Sequence, residues 1–192
     1  MVAGRVNFFG SARNLLPSAC DFAIFVRHKG KDTIVTEPTS AKADLIPYSE
    51  EYSPLVRAWI ESEETYFFVC RGREFPPPDD VVDSWQRADV SAYLLSAERH
   101  PVAYGELWSR PNERAVEIAH LLVDPYRRTN GYGTKMLHLL YERAAERKNV
   151  VKVVLNLYSE NPIALGCYLK AGFELTGAAT HTMGLKMVRV VR

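Results

Sequence analysis

The residues best suited to chemistry lie together in Val123-Asp124-Pro125-Tyr126-Arg127-Arg128-Thr129-Asn130-Gly131-Tyr132-Gly133. The stretch follows Ala115 to Val123, which reads as a strand, and opens the segment Gly131 to Lys148. There Met136, Leu140 and Ala144 recur at four-residue spacing, one side of an amphipathic helix of about four turns. Glycines at 131 and 133 let the backbone curl closely with its N–H groups turned inward. The first N–H groups of a helix have no intrahelical partner, and the helix dipole adds partial positive charge. Such a junction suits an anion the size of a pyrophosphate, with Arg127 and Arg128 adding charge. A tight strand-to-helix turn with no ligand is the plainer alternative. A P-loop is excluded, because Gly131-Tyr132-Gly133-Thr134-Lys135 lacks its spacer and its Gly-Lys-Ser/Thr ending. A dinucleotide fingerprint fits poorly, since a third glycine is missing.

The elements around this segment set its frame. Residues 41–192 form the main domain, preceded by a 1–40 extension. In that extension Asp21–Val26 and Asp32–Thr36 are short β-like runs that read as a hairpin or an edge extension. The domain begins with a short strand at Ala43 to Pro47. Ser49 should cap a helix that turns Leu55, Ala58 and Trp59 inward and ends before Phe67-Phe68-Val69. Phe75-Pro76-Pro77-Pro78 must be extended, since proline restricts the residue before it. Asp79 or Asp80 should then cap a second helix containing Val82, Trp85 and Ala88. Three strands follow, at Ala92 to Ser96, Val102 to Trp108 and Ala115 to Val123. Beyond the amphipathic helix, Val150 to Leu157 is apolar on both faces and reads as a central strand. A helix from Asn161 to Lys170 and strands near Phe173–Thr180 and Gly184–Val191 close the chain. The expected fold class is α+β, with a mixed sheet and a βαβ unit in the second half.

On these residues the chain resembles the GNAT (Gcn5-related) N-acetyltransferases over about residues 43–180. Arg128-Thr129-Asn130-Gly131-Tyr132-Gly133 is similar to their Arg/Gln-x-x-Gly-x-Gly/Ala signature for acetyl-CoA. Asn161-Pro162-Ile163-Ala164, then Tyr168-Leu169-Lys170-Ala171-Gly172-Phe173, is similar to a second signature further on. The resemblance implies a mostly antiparallel central sheet flanked by helices, splayed to admit CoA, with a βαβα unit holding the cofactor. It implies that the backbone of Leu121, Leu122 and Val123 would bind the pantetheine arm like an added strand. The N–H groups of the loop (Arg128, Thr129, Asn130, Gly131, Tyr132, Gly133, Thr134) would hold the pyrophosphate, and Asn161 would contact the pantetheine. Thr129 departs from the Gly or Arg common in the family; only its N–H is needed.

Acyl transfer from a thioester requires a neutral amine and a proton for the leaving thiolate. By resemblance to the histone-acetyltransferase branch, Glu117 is the candidate base, its carboxyl raised in pKa if buried on its apolar strand. An ordinary surface ion pair is the alternative for it. Tyr168, four residues after Ala164 on one helix face, is the candidate acid toward the sulfur. His120 is a second candidate base. Strict alternation turns it away from Glu117, unless a bulge changes the parity. Asn156 stands where ribosomal-protein N-terminal acetyltransferases carry a glutamate base. Since the family transfers directly, Cys167 reads as a small helix residue rather than a nucleophile.

The remaining features constrain partners. With 24 Lys+Arg, 23 Asp+Glu and a net charge of +1, nothing points to nucleic acid or an anionic membrane. No apolar run approaches the 18 or so residues a span needs. Three scattered cysteines, Cys20, Cys70 and Cys167, suggest neither a disulfide scaffold nor a zinc site, and fit a reducing cytoplasm. No metal is expected. Trp59, Tyr66, Phe67, Phe75 and Trp85 fall where the acceptor wall should be, with Trp59 and Phe67 read as core. The acidic residues Glu61, Glu63, Glu64, Asp79 and Asp80 favour a cationic acceptor or form a solvated face. The expectation is therefore an acetyl-CoA-dependent N-acetyltransferase acting on a small-molecule amine or a peptide, with a homodimer paired through Leu185 to Val191. The alternatives are an inactive acyl-CoA-binding sensor and a ligand-free interaction domain.

Overall fold

The computed structural model describes residues 43–178 and 184–192. The expected hairpin within residues 1–40, Cys20 and the tail of the strand placed at Phe173–Thr180 lie outside the described residues. Seven strands form one sheet in the order β1-β2-β3-β4-β5-β7-β6. They are β1 (Ala43–Pro47), β2 (Val90–Ala97), β3 (His100–Arg110), β4 (Ala115–Val123), β5 (Lys152–Tyr158), β6 (Glu174–Ala178) and β7 (Gly184–Val190). Every neighbouring pair is antiparallel except β4 and β5, which run parallel. Parallel neighbours need a crossover, and α3 (Tyr132–Ala145) supplies it. The sheet is the mixed, mostly antiparallel one that the sequence leads one to expect.

Each face of the sheet carries its own apolar core. On one, α3 buries Met136, Leu137, Leu140 and Ala144 against Leu95, Leu107, Val116, Ile118, Val153 and Leu155. Fully burying a side chain such as Leu140 contributes roughly 1.5–3 kcal/mol. α4 (Pro162–Lys170) packs on the same side. On the other face, Val56, Trp59, Ile60, Val82 and Trp85 cover Leu94, Tyr104 and Leu122. Among the described residues no helix is long and apolar enough to cross a membrane.

Five expectations are corrected here. Ser49 precedes only a short 3₁₀ turn, Glu50–Tyr52, and its hydroxyl donates to Glu51 Oε1 instead of capping. The helix after it, α1 (Ser53–Ala58), turns Val56 inward while Leu55 and Ala58 are exposed. Phe67-Phe68-Val69 does not end helical structure; it lies inside α2 (Glu63–Cys70). The signal was Ser62, whose Oγ accepts from the Thr65 N–H at 3.1 Å, with two acidic residues in the first turn. The helix expected after Asp79 or Asp80 shrinks to one 3₁₀ turn, Asp83–Trp85. Burial of Val82 and Trp85 fixes this short segment, and Gln86 is already extended. Finally, β7 lies between β5 and β6, so both its edges are used and it is not available for pairing across a dimer.

Candidate functional site

The site begins where the sheet stops being continuous. β4 pairs with β5 only from Ala115 to Ile118, against Lys152 to Leu155. Beyond that β4 follows β3 as far as Val123, while β5 follows β7 to Tyr158. The strands diverge, and a cavity of about 1020 Å³ opens between them. Among the described residues, Leu121, Leu122 and Val123 thus have no neighbouring strand on the cavity side, a ready edge for an extended ligand.

At one end of the cavity lies the loop between β4 and α3. Asp124 Oδ1 accepts from the Tyr126 N–H at 2.9 Å and starts the turn. Thr129 and Gly131 adopt left-handed conformations, with φ 66° and 76°. For Thr129 that geometry costs on the order of 1 kcal/mol, which gives its departure from glycine a physical meaning. The Asn130 amide donates to the carbonyls of Arg127 and Arg128, at 3.1 and 3.2 Å. Those carbonyls are thereby drawn into the loop's own hydrogen bonds. Lys135 N–H is the first of α3 to find a helical acceptor, Gly131. The N–H groups of Tyr132, Gly133 and Thr134 have no partner among the described residues. Arg128, Thr129, Gly131, Tyr132, Gly133 and Thr134 all line the cavity; Asn130 does not. Arg128 is already engaged, its guanidinium paired with Glu61 and its Nε bonded to the Val123 carbonyl. Asn161 lines the cavity too, while its Oδ1 caps α4 by accepting from the Ala164 N–H at 3.0 Å.

The opposite end is built from side chains. Glu117 lines the cavity, but Oε2 accepts from Arg110 at 2.8 and 3.0 Å and Oε1 from the Asn156 amide at 2.9 Å. His120 sits on a bulge: Tyr104 pairs with Leu122 and Glu106 with Ala119, so His120 and Leu121 together face Gly105. The bulge, with His120 at φ 47°, reverses the expected parity and brings His120 to the face that carries Glu106 and Trp108. Its Nδ1 lies 3.0 Å from Oε2 of Glu106, a carboxylate with no exposed surface. Tyr104 donates to Glu106 at 2.5 Å and Trp108 Nε1 at 2.5 Å. Burial, then the neighbouring Glu106 charge, pushes the Tyr104 phenol far above its ordinary value. Nothing local in the sequence marks Glu106, which stands in an apolar strand.

Tyr168, on α4, also lines the cavity. It is half-exposed by surface yet deeply surrounded by protein, and this desolvation raises its phenol well above the usual value. Cys167 and Cys70 share the wall, with burial raising the Cys70 thiol. Of the aromatic residues expected at the acceptor side, Trp59, Tyr66 and Trp85 are buried, whereas Phe67 is 42% exposed and stacks on Tyr158 at 4.8 Å. Phe75 is also exposed, and Phe68, not singled out from the sequence, reaches the cavity. Of Glu61, Glu63, Glu64, Asp79 and Asp80, the acidic residues expected at the acceptor side, only Glu64 lines the cavity.

Residues 46–173 match the family model described as the acetyltransferase (GNAT) family. The chain belongs to the GNAT acetyltransferase family. It is thereby an acyltransferase of the N-acetyltransferase class. Solved GNAT structures share the architecture. An aminoglycoside acetyltransferase in complex with coenzyme A and kanamycin is 21% identical, covering 78% of this chain and 95% of its own, with a TM-score of 0.66. Spermidine N-acetyltransferase from Vibrio cholerae, in complex with CoA and spermine, is 13% identical over 78% and 95%, with a TM-score of 0.66. A ribosomal L7/L12 alpha-N-protein acetyltransferase in complex with coenzyme A is 14% identical over 80% and 97%, at 0.65. At these identities the likeness is one of fold.

Proposed function

We propose that the protein transfers the acetyl group of acetyl-CoA directly to a primary amine, of a small molecule or of a peptide. The observation that carries this is the divergence of β4 from β5, which leaves an unpaired strand edge leading from the free N–H groups of α3 to Tyr168. The diphosphate would sit on the N–H groups of Thr129 to Thr134, at the positive end of the α3 dipole. Arg128, held by Glu61, shapes this loop more than it neutralises phosphate. The pantetheine amides would pair with Leu121 to Val123, and the side-chain Nδ2 of Asn161, without a partner among the described residues, would meet the same arm. Tyr168 would offer its phenol to the thioester sulfur. Because its proton is tightly held, it serves as hydrogen-bond donor and relay rather than as a strong acid.

Family membership favours turnover over an inactive CoA sensor, and the structural neighbours span aminoglycoside, polyamine and protein N-terminal acceptors. A thermal melt with acetyl-CoA and with free CoA tests the cofactor site: ligand at about 100 times its Kd should add roughly 2.7 kcal/mol to stability. Thiol release is then followed with spermidine, kanamycin and a short peptide with a free N-terminus. A melt that shifts without thiol release from any of the three would favour the sensor. A melt unmoved by either ligand would remove the cofactor site itself.

A further inference from the structure

We propose that His120 is the base that takes the proton from the acceptor amine, and that Glu106 is the positioning residue that fixes which ring nitrogen does so. The proposal rests on the acetyl-transfer reading above. Its ground is a chain of hydrogen bonds with one self-consistent direction. Gln86 Nε2 donates to the Tyr104 hydroxyl at 3.0 Å, which turns the hydroxyl proton toward Glu106 Oε1. Trp108 Nε1, a donor only, points at Oε2. With the Tyr104 hydroxyl and Trp108 Nε1 both donating to it, the buried carboxylate accepts on both oxygens, and a proton on His120 Nδ1 completes the set as the third donor. The lone pair is thereby assigned to Nε2, which has no hydrogen bond among the described residues, on a ring that lines the cavity.

The ring is also fixed in plane and depth. Trp85 lies 4.2 Å from it, centroid to centroid, and Trp108 meets it edge-on at 5.2 Å. The left-handed backbone at His120 is uncommon for a side chain other than glycine and persists only where its surroundings enforce it. A histidine that merely filled space would not need a fully buried carboxylate 3.0 Å from its ring nitrogen. Glu117, on the same wall, already has both oxygens engaged by Arg110 and Asn156.

The step balances as follows. Nε2 of His120 takes a proton from the bound ammonium group, and the freed nitrogen pair attacks the thioester carbonyl carbon. Collapse of the adduct breaks the C–S bond. The surplus proton on nitrogen passes through the Tyr168 hydroxyl to the thiolate, giving the amide and the CoA thiol. His120 returns its proton to solvent.

The test combines ring-nitrogen NMR on ¹⁵N-histidine-labelled protein with kinetics on His120→Gln, His120→Ala and Glu106→Gln, using spermidine, kanamycin or the peptide as acceptor. Wild type should show His120 as the Nδ1–H tautomer. His120→Gln should lose kcat by about 100-fold or more, with KM for the amine and the acetyl-CoA melt shift nearly unchanged. Added imidazole should restore part of the rate to His120→Ala. Glu106→Gln should lose kcat by about 10-fold or more and show mixed ring tautomers. An Nε2–H tautomer in wild type, or a His120→Gln enzyme within about threefold of wild-type kcat, overturns the assignment. Absence of any acetyl-CoA shift in wild type would instead defeat the acetyl-transfer reading, so the two failures are distinguishable.

Discussion

The two ends of the cavity are built on opposite principles. The loop that opens α3 lines the cavity with main-chain N–H groups that have no partner among the described residues, and its Tyr126 is 95% exposed. The far end works through side chains packed out of water, with Glu106 fully buried and Trp85 6% exposed. In the function proposed above, a backbone cradle would recognise what every acetyl-CoA molecule carries, and would need little beyond glycine and a helix start. A buried carboxylate bonded to tyrosine, tryptophan and histidine is specific and tolerates little change. Generic cofactor binding and particular chemistry are therefore separable by mutation.

The sharpest way to break that separation is Gly131→Glu. It forces a side chain onto φ 76° and adds a carboxylate to the open space beside the loop, where a Cβ would meet nothing within 4 Å. Calorimetric affinity for acetyl-CoA should fall by about 100-fold or more, like charges at one site costing several kcal/mol. Near-wild-type binding would show that the loop does not hold the phosphates. At the other end Tyr168→Phe should cut kcat by about 10–100-fold and leave acetyl-CoA affinity within a few fold. A loss confined to affinity would move Tyr168 to the binding end.

A pH experiment sharpens the contrast further. Tyr104 and Tyr168 both have phenols raised by burial. A folded-state value above the unfolded one means the native protein binds more protons between the two. Stability should therefore be complete below the ordinary phenol value, about pH 10, and be lost as pH rises above it. Melts of Tyr168→Phe between pH 9 and 11 should show a shallower decline than wild type; an identical decline would deny the desolvation. The smallest effect belongs to Arg128→Ala. Its pair with Glu61 is solvent-exposed and worth at most about 1 kcal/mol, so acetyl-CoA affinity should change by less than about fivefold. A larger loss would give Arg128 the direct phosphate role suggested by its type alone.

The same contrast explains what was legible in the sequence. The loop is contiguous, and its glycines, its preceding strand and its helix state their purpose within a dozen residues. The sheet could likewise be read from its apolar runs, and α3 from its four-residue repeat. The far end is assembled from the 3₁₀ turn at Trp85, from β3 and from β4, and no local pattern links Glu106 to His120. Regular alternation even pointed His120 the wrong way, because one bulge residue reverses every later side chain on a strand. The helices before β2 were misplaced for a related reason. Phe67-Phe68-Val69 looks β-like in isolation, but the capped turn at Ser62 and the stacking of Phe67 on Tyr158 decide its conformation.

The short seam between β4 and β5 has a mechanical consequence. Among the described residues, four ladder pairs join the strands at the seam between the leaf formed by β1 to β4 and the leaf formed by β5, β7 and β6. In the function proposed above, a cofactor lying along the inner edge of one leaf, with its thioester at the α4 tyrosine of the other, would bridge both and complete the sheet as a splint completes a jointed frame. Acetyl-CoA bound in this way would then stiffen the joint between the two leaves. Letting go of the product would mean that the joint regains its play.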